Sequence, residues 1–448
     1  MLKGTTYSHR AGGYRYFLAG LLLASVLAVG LPAQVIADMT GHGGMIRALR
    51  VSPDGSVVLS ASFDHSARLW RLDEQSTIQV LNGHDGPVND AIFLSSNSIA
   101  TAGADGQVII WGGPDMRIQN RIKAHRGRIT SLAAVDATHL ISGGWDGKII
   151  LMDVQSGAAT AEFDMKEAVV GVAITADQRH LIAAGRSGDI ARWRLSDGVR
   201  TAKLQAHNVS LFQLQRSANG QRLLTVGPDS FVKIWDLEGF QLLHAYGVAS
   251  NRRVSASAVN TNGGLLAVGY LDGTVMIVDA VTGVMQRQLQ ADNGPVWSLA
   301  FTANNRFLLS AGKSERIRVW HIDSGDRITL AGETTFQRPT PWLDSPHPGA
   351  ALFRKCAICH ALTASEPQRS GPHFQGLPGR VMGSVTGYRY SRALQKGDLA
   401  WNRENLMQLF SQGPDRFLPG TKMPVQRIGN EVDLGNLIDY LEILTRPH

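Results

Sequence analysis

Short runs in which apolar residues alternate with small or polar ones recur between residues 40 and 330. Examples are Ser56–Ser62 and Gln107–Trp111, which are separated from their neighbours by turns rich in glycine and aspartate. A period of two is that of a β-strand with one buried face. The pattern therefore predicts many short strands in this part of the chain, and the 48 glycines fit the frequent tight turns that such strands need.

The strand pattern itself repeats at a nearly constant spacing. Seven strand ends follow one another at intervals of 41 to 43 residues, at Trp70, Trp111, Met152, Trp193, Trp235, Val278 and Trp320. Six positions before each lies a turn residue: Asp64, Asp105, Asp146, Ser187, Asp229, Asp272 and Ser314. Four repeats open with a small residue and a histidine, at His42, His84, His125 and His207. A period of this length is typical of repeated four-stranded units.

Residues 38–332 thereby resemble the WD-repeat family, and Trp235-Asp236 is one full Trp-Asp dipeptide. The resemblance implies an all-β propeller of seven blades. It also implies that the opening histidine, a Ser or Thr, the turn aspartate and the tryptophan of a blade form a structural hydrogen-bonded tetrad. Residues that meet this pattern in the first two blades are His42, Asp64, Trp70, His84, Asp105 and Trp111.

Two further expectations concern the weaker points of the ring. Blades four, six and seven lack the opening histidine, so we expect their turns to be held less firmly. We also expect the ring to close mainly by packing between its first and last blades, with Arg327–Leu330 as the outer strand of the seventh blade.

The hydrophobic period changes after the repeats. Residues 333–348 contain four prolines and predict an extended tether. Residues 349–448 predict helices instead, with one starting near Gly349 and a second running from an N-cap at Asn402 to Phe410. A last helix is indicated by apolar residues at helical spacing, namely Leu434, Leu437, Ile438 and Leu441.

The first of these helices carries both cysteines of the chain, Cys356 and Cys359, followed directly by His360. C-x-x-C-H is the attachment motif of c-type haem. Each thiol adds to a haem vinyl group, and the histidine is placed to ligate the iron. A short disulfide and a redox-active thiol pair are the alternatives. We expect one covalently attached haem c, with Cys356 and Cys359 as its anchors.

The whole segment resembles the small class I cytochrome c domain of mitochondria and the bacterial periplasm, which is all-α. The resemblance implies that the Pro372 carbonyl accepts a hydrogen bond from the axial His360. It implies that Arg380, Tyr388, Tyr390 and Trp401 line the haem propionates. The loop Leu418–Met423 matches the segment that delivers the second axial ligand, so Met423 is the expected sixth ligand, although a methionine is more often core filler.

Two positions depart from that family. Leu409 stands where relatives have an aromatic hydroxyl, and Leu394 stands where they often have a polar residue. Both changes make the predicted pocket more apolar. Because an apolar pocket penalises the more charged oxidised state, we expect a comparatively high reduction potential.

The N-terminus predicts export. Residues 1–37 combine Lys3, Arg10 and Arg15 with an apolar stretch, a proline and small residues suited to signal cleavage after Ala37. An uncleaved membrane anchor is the alternative. With cleavage we expect a periplasmic protein without a membrane span. The periplasmic address and the lack of a basic cluster argue against nucleic acid as a partner.

Charge indicates where partners bind. Residues 349–448 hold 12 Lys and Arg against 8 Asp and Glu, whereas residues 38–348 are neutral. Four basic residues are predicted around the exposed haem edge, where they suit redox partners with acidic docking faces or are ordinary solvated charges: Arg354, Lys355, Arg416 and Lys422. Loop residues of the propeller form either a partner face or scattered surface: Trp145, Trp297, Arg252 and Arg253.

Taken together, these features predict an exported monohaem electron carrier with a propeller scaffold of unknown partner. The prediction is of a non-enzymatic protein. The first alternative is a propeller-hosted oxidoreductase that passes electrons to its own haem c domain. A second alternative is a sensor in which haem occupancy alters what the propeller binds.

Overall fold

A computed structural model of the chain describes residues 38–328 and 345–445, apart from 212, 218–219, 230, 248–252, 367–370, 389, 396, 422 and 424. Within these residues, 28 strands precede five helices. The predicted signal sequence and most of the predicted tether lie outside the described residues. Within the described part, no helix is long and apolar enough to cross a membrane.

The strands form seven antiparallel sheets of four strands each, as predicted for a seven-bladed propeller. The first three blades contain β2 (Ile46–Val51), β3 (Val57–Ser62), β4 (Ser66–Arg71) and β5 (Ser76–Asn82); β6 (Val88–Ser95), β7 (Ser98–Gly103), β8 (Gln107–Gly112) and β9 (Arg117–Lys123); and β10 (Ile129–Ala134), β11 (His139–Gly144), β12 (Lys148–Asp153) and β13 (Ala159–Asp164). The next three contain β14 (Val169–Ile174), β15 (His180–Gly185), β16 (Asp189–Arg194) and β17 (Arg200–Gln205); β18 (Gln213–Arg216), β19 (Arg222–Val226), β20 (Phe231–Asp236) and β21 (Gln241–Gly247); and β22 (Val254–Val259), β23 (Leu265–Tyr270), β24 (Thr274–Asp279) and β25 (Met285–Gln290). The seventh contains β26 (Val296–Phe301), β27 (Phe307–Gly312), β28 (Arg316–His321) and β1 (Met39–Thr40).

The second and third strands of each blade supply most of the core. In β3, for example, every residue from Val58 to Ser62 is buried, because sheets pack against both of its faces. This is why these strands combine branched apolar residues with small ones. The outermost strands are largely exposed and carry most of the polar residues, as β13 and β25 do.

Ring closure differs from the expectation. The outer strand of the seventh blade is β1, in which Met39 pairs with Ile317 and Thr40 with Arg316. Arg327 bridges Trp320, and the Ile328 N–H donates to the Val319 carbonyl at 2.8 Å, so these two residues also lie along β28. Residues 329 and 330 of the predicted outer strand lie outside the described residues, so that prediction stays open. Closure mainly by packing is wrong, because β1 joins the last blade through strand pairing.

The neighbouring Asp38 explains why β1 is held at this place. The Asp38 carboxylate contacts Arg316 and Arg318 at 3.4 and 3.7 Å and also pairs with Arg327, while only 3% of its side chain is exposed. The adjacent Met39 is 1% exposed and packs in the core shared by the first and seventh blades. Charge pairing and burial thus fix a strand of two residues that has no recognisable sequence pattern.

The predicted tetrads are present. In the first blade, His42 contacts Asp64 at 2.9 Å and Ser60 at 2.7 Å, and Trp70 donates to the same Ser60 hydroxyl at 2.8 Å. The second blade repeats this arrangement with His84, Asp105, Thr101 and Trp111. The fifth blade completes a further tetrad through His207, Asp229, Thr225 and Trp235.

Two blades without the histidine use a different pair. In blade four, Glu167 accepts hydrogen bonds from the backbone and hydroxyl of Ser187, each at 2.6 Å. In blade seven, Asp292 accepts the same two bonds from Ser314 at 3.0 and 2.7 Å. In these two blades the carboxylate lies near the start of the repeat and the serine lies in the turn, where the other blades have their aspartate. Direct hydrogen bonds therefore hold these turns, and the expectation of looser turns is wrong for both blades.

The helices are α1 (Pro348–Cys359), α2 (Arg392–Gln395), α3 (Arg403–Gln412), α4 (Pro414–Phe417) and α5 (Glu431–Thr445). Asn402 caps α3 through a reciprocal bond with Asn405, and Gly413 ends the helix. Helices α1 and α5 pack closely at Gly349, where an added Cβ would lie 2.0 Å from the Asn436 carbonyl oxygen. Phe353, which is fully buried, meets Tyr440 of α5 edge-on. The predicted C-terminal helices are thus confirmed.

Candidate functional site

A large cavity lies among residues of the helical part, with Asp64 of the first blade also on its lining. It encloses about 1120 Å³ including its open mouth. The cavity is lined by all nine residues singled out from the sequence: Cys356, Cys359, His360, Pro372, Arg380, Tyr388, Tyr390, Trp401 and Met423. These residues span almost seventy positions of the chain, so their convergence depends on the fold and not on local spacing.

The two thiols reach the cavity because of their place on α1. Residues three apart lie on the same face of a helix, so Cys356 and Cys359 point the same way. Both are buried, and burial raises the pKa of the Cys356 thiol to about 12. His360 is the C-cap residue of the same helix, and its extended backbone turns the chain away immediately after the motif.

The orientation of His360 is fixed on three sides. Its Nδ1 lies 2.7 Å from the Pro372 carbonyl oxygen, which can only accept a hydrogen bond, so Nδ1 carries the proton and the lone pair is on Nε2. Phe374 stacks on the imidazole with ring centroids 4.4 Å apart. A Cβ on Gly371 would come within 2.4 Å of the imidazole, so only glycine leaves room for this ring. The predicted hydrogen bond to Pro372 is therefore present.

Met423 lines the cavity from a separate loop. The loop follows α4 and turns through a hydrogen bond from Thr421 N–H to Leu418 O at 2.9 Å. The Met423 N–H then donates to the Thr421 hydroxyl at 3.2 Å. The Met423 side chain is partly buried and packs against the apolar core of the helical part.

A short antiparallel pairing holds the aromatic end of the cavity. Gly379 N–H donates to Trp401 O at 2.7 Å, and Trp401 N–H donates to Arg380 O at 3.0 Å. Tyr388 and Tyr390 lie edge to face with centroids 4.8 Å apart. Burial, together with Tyr390, raises the pKa of Tyr388 well above its usual range, so its hydroxyl stays protonated and can donate.

Several lining residues were not predicted. The Ser391 hydroxyl lines the cavity and is buried without a hydrogen-bond partner among the described residues. Phe374 gives no motif signal either, although it supports His360 directly. Asp64 of the first blade also lines the cavity, but its carboxylate already accepts bonds from the first-blade tetrad and turn.

Glu366 shapes the turn that follows His360. Its carboxylate accepts hydrogen bonds from the backbone of Leu362 at 2.9 Å and of Thr363 at 3.1 Å. The glutamate is 9% exposed, so these bonds satisfy an otherwise costly buried charge. No sequence pattern marks this residue.

The two departures from the family lie at the cavity, as the resemblance implies. Leu409 and Leu394 both line the cavity, and Leu409 is 4% exposed. Of the four predicted basic residues, Lys355 and Arg416 are exposed and Lys355 also lines the cavity. Lys422 and the side chain of Arg354 lie outside the described residues.

Comparison with known proteins identifies both parts of the chain. The WD40 family (WD domain, G-beta repeat) matches residues 33–71, 75–112, 116–153, 198–236 and 283–321. Among curated proteins, cytochrome c of Cochliobolus lunatus is 39% identical over 99 residues, which are 22% of this chain and 91% of that protein. Cytochrome c of Arabidopsis thaliana is 38% identical over 99 residues, or 22% of this chain and 88% of its own length. A cytochrome c homolog of Rickettsia typhi is 36% identical over 138 residues, or 31% of this chain and 78% of its own length.

These matches define a WD-repeat propeller joined to a cytochrome c segment. The chain belongs to the cytochrome c family through a segment of about 100 residues, a length that fits its helical part.

Proposed function

We propose that this protein is an exported electron carrier with one haem c, held covalently by Cys356 and Cys359 and ligated by His360 and Met423. The observation that carries the proposal is the convergence of these four side chains on one cavity. They supply two thiols, one imidazole with its lone pair on Nε2, and one thioether, which is the donor set of a six-coordinate c-type haem.

The remaining lining residues fit the same group. An apolar wall that includes Leu377, Leu406 and Leu409 suits a macrocycle. Arg380, Tyr388, Tyr390 and Trp401 provide hydrogen-bond donors for carboxylates at one end of the cavity, and the Ser391 hydroxyl adds another. The donors and the apolar wall thus match the two ends of a haem.

When bound, the haem would supply a one-electron iron couple. The protein would hold the His360 imidazole and the Met423 thioether as the two donors to the iron, and no position would then remain for a substrate. His360 is held by Pro372 and Phe374, and Met423 by its loop. The thioether is neutral and soft, which favours the reduced metal and raises the potential. This is the coordination of a carrier, and the propeller would then serve as a protein-binding scaffold.

Location and redox partners are part of the proposal. The signal-like residues 1–37 and a covalent haem both suit the periplasm, where c-type haem is attached. The exposed Lys355 and Arg416, together with Arg354 and Lys422, would favour redox partners with acidic docking faces. Association would then slow as the ionic strength rises.

The test is the visible spectrum of the full chain expressed with its signal in a periplasm competent for haem attachment. We expect a low-spin c-type spectrum with a methionine-to-iron band, and loss of that band in Met423→Ala. Met407→Ala is the matched control, because Met407 packs against the same core without lining the cavity. A methionine band that persists in Met423→Ala would overturn the ligand assignment, and chromophores beyond one haem would favour the oxidoreductase.

A further inference from the structure

The wall of the large cavity carries one carboxylate, and the propeller supplies it. Among the described lining residues, Asp64 is the one acidic side chain, whereas Lys355 and Arg380 are basic. Asp64 lies in the turn between β3 and β4 of the first blade, far from the helical part in the chain. Its charge therefore acts on the cavity from the other part of the molecule.

The Asp64 carboxylate is held as an anion. One of its oxygens accepts hydrogen bonds from His42 Nδ1 and from the Gly43 N–H, each at 2.9 Å. The other oxygen accepts from the Ser66 N–H at 2.9 Å and from the Ser66 hydroxyl at 2.6 Å. Four donors on two oxygens favour the ionised form over the protonated one. Burial alone would raise the pKa of Asp64, but His42 and Arg68 outweigh it and hold the pKa below its usual range.

The hydrogen bonds stabilise this charge without cancelling it. Burial lowers the pKa of His42, so the histidine is neutral at pH 7. Arg68 does not line the cavity, and among the described residues no Arg or Lys nitrogen lies within 4.0 Å of the Asp64 carboxylate. The cavity wall therefore keeps a negative charge at Asp64.

The first-blade turn is also more enclosed than its counterparts. The Asp64 side chain is 2% exposed, whereas the aspartates at the same position of blades two, three and five are 8, 18 and 18% exposed. Tyr388 of the helical part lines the same cavity, and after burial and Tyr390 the charge of Asp64 adds to the rise in its pKa. Because solvent screens a buried charge much less than an exposed one, the field of Asp64 reaches into the cavity.

The neighbouring seventh blade places a second carboxylate near Asp64. Glu315 lies at the tip of the turn between β27 and β28 with a φ of 61°, and four other blades have glycine at this position: Gly106, Gly147, Gly188 and Gly273. Burial raises the pKa of Glu315 to about 7, with the charge of Asp64 adding to the rise and Arg316 opposing it. A left-handed backbone is costly for a residue other than glycine, and such residues cluster at functional sites. Glu315 thus gives access to the charge around Asp64 without a change in the tetrad.

We propose that Asp64 tunes the haem of the proposed electron carrier from the propeller, as a fixed negative charge that favours the oxidised iron. The inference rests on the proposed function and gives the propeller a part in it beyond protein binding. Oxidation adds one positive charge at the iron, so a buried anion on the cavity wall stabilises the oxidised state and lowers the reduction potential. The apolar Leu409 on the same lining has the opposite effect.

The test is the reduction potential of the full chain with its haem attached, measured by spectroelectrochemical titration. Asp64→Asn keeps the shape of the side chain and removes its charge. We expect the equilibrium to shift about tenfold toward the reduced haem, which is about 59 mV for one electron. Asp105→Asn is the matched control, because Asp105 holds the same place in the second-blade tetrad but does not line the cavity. We expect this control to keep the parent potential.

A second variant decides the question if Asp64→Asn does not fold. Glu315→Lys leaves the tetrad intact and places a cation near Asp64, so at pH 8 we expect it to raise the potential as well. Gln178→Lys is its matched control, because Gln178 is exposed, has a φ of 59° and does not line the cavity. We expect no change of potential in this control.

The sign of the change separates tuning by charge from a loss of packing. A looser wall would let water reach the haem, and water favours the more charged oxidised state. A potential that falls in Asp64→Asn would therefore overturn the proposal. Parent potentials in both Asp64→Asn and Glu315→Lys would also overturn it, and so would equal rises in Asp64→Asn and Asp105→Asn.

The visible spectrum of the same samples separates this inference from the proposed function. Absence of c-type haem in the parent would overturn the electron carrier and the inference together. A normal haem spectrum with unchanged potentials would overturn the inference alone.

Discussion

The propeller and the helical part use the same polar residues in opposite ways. In the first blade, His42, Asp64 and Ser60 satisfy one another's hydrogen bonds inside the fold. In the helical part, His360 is held through Nδ1 and lines a cavity, and the Ser391 hydroxyl has no partner among the described residues. The propeller histidine is therefore enclosed by its own hydrogen-bond partners, whereas His360 and Ser391 line a cavity.

The largest expected effect is that of His360→Ala. Loss of this ring removes an axial ligand and leaves a void against Phe374 and Gly371, so the low-spin spectrum should disappear. We expect the helical part to lose about 3 kcal/mol or more, because both packing and bound-ligand stabilisation are lost. Visible spectroscopy and far-ultraviolet circular dichroism on heating provide the measurement.

The matched control for that variant is His347→Ala. His347 caps α1 and stacks on Tyr440 with centroids 5.1 Å apart, yet it does not line the cavity. We expect a cost of about 1 kcal/mol and an unchanged spectrum. If both variants kept the parent spectrum, His360 would belong with the structural histidines of the propeller.

The second effect is that of His42→Ala in the propeller. This change leaves the buried Asp64 carboxylate without its main partner, so we expect a loss of about 3 kcal/mol or more in urea unfolding followed by tryptophan fluorescence. Glu167→Gln removes only a charge from the turn of blade four and should cost about 1 kcal/mol. Glu167→Gln should not alter the haem spectrum, because neither Glu167 nor Ser187 lines the cavity, and a changed spectrum would contradict the division between the two parts.

A smaller effect is expected from pH. Burial lowers the pKa of His42 and of His207, although each lies beside an aspartate. Because each folded-state pKa lies below the unfolded value of about 6.5, the unfolded state binds more protons below that pH. Propeller stability should therefore fall as the pH drops below about 6.5, by at most about 1.4 kcal/mol per pH unit for each histidine.

A further fall is expected near pH 4 and below, for a different reason. The pKa values of Asp64, Asp105 and Asp146 lie below normal, because hydrogen bonds and charge interactions with their histidines outweigh the opposing effect of burial. Their contribution is present above the unfolded value of about 3.9 and is lost as the pH falls through the folded values. Urea midpoints measured between pH 8 and pH 3 test both steps. A midpoint that rises between pH 6.5 and pH 5 would contradict the assignment.

The smallest effect is on the reduction potential. Leu409→Tyr adds a hydroxyl to an apolar wall and should stabilise the oxidised state by about 1 kcal/mol, which lowers the potential by roughly 40 mV for one electron. Leu409→Phe separates the hydroxyl from the ring and should leave the potential near that of the parent. A Tyr variant with a higher potential than the parent would contradict the role given to Leu409.

The sequence predicted most of the architecture but not its exceptions. The period of the tryptophans gives seven blades, and the spacing around Cys356 gives the site. The closing strand at Met39–Thr40 was not predicted, because two residues are too few to show the alternation of apolar and polar positions that marks a strand. Arg327–Leu330 shows that alternation more clearly. The roles of Glu167 and Asp292 in holding their turns were not predicted. An acidic residue in a loop does not indicate such a role unless its serine partner is known.

Positions that meet only in the fold could not be predicted as a group. Asp64 and Tyr388 lie far apart in the chain, and only the fold brings both to the same cavity wall. Phe374 and Ser391 belong to no motif, and their contribution depends on which side of the cavity the chain reaches. Site residues were therefore predictable where a motif or a family resemblance marks them, as in Cys356–His360 and at Met423, and not where distant turns without a motif come together.

The most direct test of the account is the visible spectrum of the reduced full chain before and after exposure to carbon monoxide. If His360 and Met423 fill both axial positions, the spectrum stays unchanged, as expected for a carrier with closed coordination. Formation of a carbon monoxide complex at neutral pH would show an open position on the iron, and would contradict the claim that this protein only carries electrons.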